Sequence, residues 1–84
     1  MVTETSWLVG FEFPTTGGRV TQHYYVVFGT TDPARARDIA LERAESPGER
    51  AARGGLHADG ERADTRRLVS DPLGVRHLAA PCRL

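Results

Sequence analysis

Lysine is absent from this 84-residue chain: all eleven cations are arginine, set against eleven acids for a formal net charge of zero. A P-loop reaches nucleotide phosphates with a lysine, so nucleotide hydrolysis by that route is excluded. Excess positive charge is also missing, and a general polyanion-binding domain should be visibly basic. Cysteine occurs once, at Cys82, which rules out an internal disulfide and with it a disulfide scaffold. No apolar run approaches the ~20 residues that cross a bilayer. The Met1-Val2-Thr3-Glu4 start lacks the basic and apolar regions of a signal peptide. A cytoplasmic location with no membrane association is the expectation. Apolar bulk is scarce too, since Leu, Ile, Val and Phe together number 18. That lies near the composition of disordered chains, but such chains also carry high net charge. One small folded domain over residues 1–84, with a thin core, is expected.

The weighting toward Arg, Ala and Gly is what a GC-rich coding sequence yields, and it suggests a bacterium with such a genome or one of its phages. A demand for bidentate guanidinium contacts would explain Arg at chosen sites. It would not explain the loss of Lys everywhere.

What the chain does contain is ordered by period. Ser6 to Phe13 alternates, with Trp7, Val9, Phe11 and Phe13 on one face and Leu8, Gly10 and Glu12 on the other. Pro14-Thr15-Thr16-Gly17-Gly18 is turn chemistry. A second strand then runs from Arg19 to Phe28, rich in β-branched and aromatic residues. Its two faces are Val20, Gln22, Tyr24, Val26 and Phe28 against Arg19, Thr21, His23, Tyr25 and Val27. The first set reads as the packed face, so Leu8, Tyr25 and Val27 are expected on the outer surface of the hairpin.

At Asp32-Pro33 the period changes. Asp32 suits an N-cap and Pro33 the first helical position, where its missing N–H costs nothing. The predicted helix continues to about Ser46, before Pro47-Gly48. Ala36, Ala40 and Ala44 form its apolar stripe, flanked by Ile39 and Leu41. Asp38, Glu42 and Glu45 fall on the opposite arc. Ser46-Pro47-Gly48-Glu49 has capping-box spacing, which predicts a short helical turn as far as Arg53. Residues 54–64 carry little apolar besides Leu56 and read as a mobile loop. Thr65 to Ser70 and Val75 to Ala80 read as a second hairpin about an Asp71-Pro72-Leu73-Gly74 turn. A short helix capped by Asp71 is the rival for that segment, weakened by Gly74. The fold class expected is α+β: a two-layer ββαββ sandwich of antiparallel hairpins and one amphipathic helix.

Chemistry is harder to find. His23, His57, His77 and Cys82 match no zinc-ligand spacing. His77 and Cys82 could meet as base and nucleophile, but such a pair needs rigid support. No catalytic, metal-binding or cofactor-binding residue is therefore expected, and the chain reads as a non-enzymatic interaction module. Its expected contacts are with a protein partner or a second copy, through Asp38, Glu42 and Glu45 on the helix and Leu8, Tyr25 and Val27 on the sheet. The alternative is a nucleic-acid-binding accessory that grips phosphate with Arg66, Arg67 and Arg76 and stacks bases on Tyr25.

Overall fold

The computed structural model describes residues 5–14, 17–70, 73 and 76–82, with the backbone alone at Ser70 and Arg76. In chain order the elements are β1 (Ser6–Pro14), β2 (Val20–Phe28), α1 (Pro33–Ala44), α2 (Pro47–Ala52), a 3₁₀ turn (Gly60–Arg62), β3 (Asp64–Ser70) and β4 (Arg76–Leu78). The strands form one antiparallel sheet in the order β2-β1-β3-β4. With α1 packed on one face, the result is the two-layer α+β arrangement that the alternation of periods predicts. The second hairpin forms, but Asp71, Pro72 and Gly74 of its expected turn, and Val75 at the start of its expected return strand, lie outside the described residues.

β1 sits between β2 and β3, and this central place suits its composition. Trp7, Val9, Phe11 and Phe13 are all buried on the helix side. Because β2 and β3 both run antiparallel to β1, they are parallel to each other, and the connection between them carries α1 over the sheet. Asp32 caps α1, its Oδ1 accepting the Ala34 N–H at 3.0 Å. Ala36, Ala40 and Ala44 have no exposed surface. Methyl side chains along that stripe let the helix backbone approach the β1 aromatics closely. The Trp7 indole N–H donates to the Thr30 carbonyl at 2.8 Å, fixing the strand-to-helix turn against the core.

β2 presents the opposite face from the one its composition favours. The pairing sets Trp7 opposite Val27, Val9 opposite Tyr25 and Phe11 opposite His23. Directly paired residues share a sheet face, so Tyr25 and Val27 lie beneath α1 and not on the outer surface. Val27 is fully buried, and Tyr25 meets the Phe11 ring edge-on at 6.0 Å. Val20, Gln22, Tyr24, Val26 and Phe28 turn outward. A one-residue change of register moves every side chain to the other face, and here the turn sets the parity. Pro14 pairs with Val20 across residues 15–19, with Gly17 and Gly18 at φ of 87° and 78°. An odd loop length joins odd-numbered residues of β1 to odd-numbered residues of β2. Positive φ is available at low cost only to glycine.

The segment between α1 and β3 is tied down at several points. α2 forms, although the Ser46 side chain makes no capping hydrogen bond, so the capping box is not realised. Arg53 Nη2 donates to the carbonyls of Ala44 at 2.6 Å and Leu56 at 3.0 Å. Its guanidinium lies over the Phe13 ring, 4.3 Å from the centroid. Asp59 Oδ1 accepts the Glu61 N–H at 3.0 Å and opens the 3₁₀ turn.

Candidate functional site

The outer sheet face carries the largest group of exposed apolar side chains among the described residues. Across its paired rows lie Phe28, Ser6, Leu68 and Leu78; then Val26, Leu8 and Arg66; then Tyr24, Gly10 and Asp64; then Gln22 and Glu12. Val20 is 62% exposed, Tyr24 50%, Phe28 50%, Leu78 49% and Val26 37%. Scattered apolar side chains at a surface are ordinary, and a contiguous group on one sheet face is a candidate contact surface. β2 is also an edge strand, and its nine residues include no Arg, Asp or Glu. Edge strands are commonly guarded by charge, proline or a bulge.

Gly10 organises the middle of this face. A Cβ there would stand 2.6 Å from Tyr24 Cε1, so the phenol ring lies across the bare glycine backbone. The Tyr24 hydroxyl donates to the Gln22 amide oxygen, and Gln22 Nε2 donates to Glu12 Oε1 at 3.3 Å. On the far side, Arg66 Nε donates to both Asp64 oxygens at 3.1 Å. Leu8, Gln22, Tyr24, Asp64, Arg66 and Leu78 line a depression of about 300 Å³. Its lining is mixed: Leu8, Tyr24 and Leu78 supply apolar surface, and Gln22, Asp64 and Arg66 supply polar surface with one cation and one acid. This arrangement suits a desolvated contact bordered by polar groups, the usual anatomy of a protein interface.

Of the sheet residues read from sequence, Leu8 lies on this face, while Tyr25 and Val27 are under the helix. The helix acids do not act together. Asp38 is exposed and pairs with the adjacent Arg37 at 3.2 Å. Glu42 is exposed. Glu45 turns instead to the loop, accepting from His57 Nδ1 at 2.8 Å and from the Ala58 N–H. These bonds, that of His57 first, hold the Glu45 carboxyl below its ordinary pKa.

A carboxylate beside an imidazole is the supporting half of a nucleophilic triad. Here the other ring nitrogen, Nε2, meets Arg50 Nη2 at 3.1 Å. The ring therefore has no nitrogen left for a nucleophile, and the pair serves to anchor the loop. Cys82 donates its backbone N–H to the Thr65 carbonyl at 2.8 Å, while His77 pairs with Val69 across β3 and β4. No three His, Cys, Asp or Glu side chains gather as a metal site among the described residues. No helix there is long and apolar enough to cross a membrane.

Of the three arginines read as a patch, Arg66 and Arg67 lie on opposite faces of the sheet. Arg66 shares the outer face with Leu8, whereas Arg67 pairs with Trp7 and projects to the helix side with Tyr25. The side chain of Arg76 lies outside the described residues. Sequence reading missed Val20, Tyr24, Val26 and Phe28 as surface residues, because their β-branched and aromatic character is that of a packed strand face. Gly10 was the available signal: a glycine inside a strand often marks close approach by another group. No family model, curated protein or solved structure matches this chain, and the geometry of the outer sheet face is what bears on its function.

Proposed function

We propose that this chain is a non-enzymatic protein-interaction module that docks through its outer sheet face. The observation that carries the reading is the row of half-exposed Val20, Tyr24, Val26 and Phe28 on an uncharged strand, continued by Leu8 and Leu78. Burying side chains of this size stabilises a contact by about 1.5–3 kcal/mol each when burial is complete. Since these side chains are about half exposed in the folded chain, roughly half of that gain is left for a partner to supply. Among the described side chains of the outer face the one arginine, Arg66, is paired with Asp64 and Glu12 stands on the same face, which favours protein over nucleic acid as the ligand. Phosphate binding rests on unpaired cations.

Photo-crosslinking in the native host tests the reading. A photoreactive residue at position 24 or 26 is expected to form an adduct with a protein, and one at position 42 on α1 is not. Adducts from position 42 alone would move the docking surface to the acidic helix arc. Absence of adducts from positions 24 and 26 would overturn the proposal.

A further inference from the structure

We infer that the occupant of the outer face is a second copy of this chain, packed sheet against sheet in a four-layer α/β/β/α dimer; this rests on the docking reading above. Three observations favour a copy over a different partner. The first is area. Val20, Tyr24, Val26, Phe28 and Leu78, exposed as given above, offer roughly 400 Å² of apolar surface. A standard interface takes about 800 Å² from each partner, a little over half of it apolar. Leu8, Leu68 and the polar groups around Tyr24 make up the remainder.

The second is charge. The chain has no net charge, so two copies meet without long-range repulsion, and no acidic or basic partner is selected. The third is self-complementarity. Asp64 and Arg66 stand two residues apart on β3 and share the outer face. A two-fold axis lying between the sheets and crossing the strands at Thr65 sets Arg66 opposite the second copy's Asp64. The same axis sets Val26 opposite the second copy's Tyr24, and Leu8 opposite its Gly10. An axis along the strands keeps each residue at its own level, so it never brings Arg66 to Asp64; midway between β1 and β3 it sets Leu8 against Arg66 and Asp64 against the glycine backbone. Crossing the strands is the arrangement that matches charge to charge in an isologous contact.

Edge-to-edge pairing of β2 with a second β2 fits less well. It would join two outer faces into one wider apolar surface instead of covering either. It would also meet Arg43, whose Nη1 already donates to the Val26 carbonyl at 2.8 Å on this edge strand.

Sedimentation equilibrium of the purified chain is the test. The expected mass is twice the 9.2 kDa of the chain, falling to 9.2 kDa for Val26→Glu. Far-UV circular dichroism and Trp7 fluorescence report whether that variant folds, and Tyr24→Ser supplies a milder change at the same contact. Arg66→Asp and Asp64→Arg are each expected to be monomeric alone, and their mixture to recover the dimer mass. Three results overturn the inference: a monomeric native chain up to several hundred micromolar, a dimer indifferent to folded Val26→Glu and Tyr24→Ser, or singly reversed variants that do not recombine. A monomeric chain whose position-24 adduct contains another protein overturns the second copy and keeps the docking surface. No adduct from positions 24 and 26 overturns both.

Discussion

Two residues show how local chemistry and the proposed docking face are separable. Thr65 is fully buried opposite Val9, and its hydroxyl has no hydrogen-bond partner among the described residues. A buried unsatisfied polar atom costs about 1–3 kcal/mol, and valine has nearly the same shape and suits a strand. Thr65→Val should therefore raise the unfolding free energy by about 1 kcal/mol in urea denaturation. A loss of stability would mean that the hydroxyl has a partner. Gly10 behaves differently. Its absent side chain leaves room for the Tyr24 ring, and the atom a new Cβ would meet belongs to a half-exposed side chain that can swing away. Gly10→Ala should change fold stability by less than about 1 kcal/mol, while shifting the Tyr24 ring resonances and weakening self-association. An unfolded Gly10→Ala variant would contradict this account of the glycine.

The elements differ in how plainly the sequence specifies them. β1 is unambiguous, because Trp7, Val9, Phe11 and Phe13 give one continuous apolar face while Leu8 is the only large apolar residue opposite, beside Gly10 and Glu12. α1 is equally plain, through Asp32, Pro33 and the alanine stripe. That stripe is tight: Ala40 has no exposed surface, so Ala40→Leu must push the helix off the sheet, at a cost of about 2 kcal/mol in chemical denaturation. β2 is ambiguous because both of its faces carry apolar residues, and the face was settled by the odd length of the preceding turn. Composition ranks Val20, Tyr24, Val26 and Phe28 above Tyr25 and Val27 as the packed set, and the register overrides that ranking. Nor does alternation reveal that β3 pairs with β1, which depends on where α1 delivers the chain.

Between α1 and the following loop, Glu45 couples stability to pH. The fold lowers its pKa, chiefly through the His57 hydrogen bond, so the ionised carboxylate is the form the native state favours. This contribution is complete above the unfolded value of about 4.3 and is lost as pH falls through the lower folded value. Glu45→Gln should flatten the acid limb of a thermal-melting curve measured against pH, below about pH 5, relative to the native chain. Identical acid limbs would contradict the tether.

At the scale of the whole molecule, one sheet face is packed by a helix, and the other carries exposed apolar side chains with no layer packed on it among the described residues. A thin core follows from this division, since much of the apolar side-chain volume in β2 is placed away from α1. The fold is satisfied as a two-layer unit, and the outer face is the surplus that association would bury. The outer face was legible in Leu8 and in the two-sided hydrophobicity of β2; its full membership was not, because it depended on strand register. The chain's two tyrosines, adjacent in sequence, report on opposite faces: Tyr24 outside and Tyr25 beneath the helix. Hydroxyl-radical footprinting over a dilution series reads both at once. Labelling of Tyr24 should fall steeply as concentration rises while that of Tyr25 stays constant. Labelling of Tyr24 that is independent of concentration, or protection that appears at Tyr25 instead, would contradict a self-covering outer face.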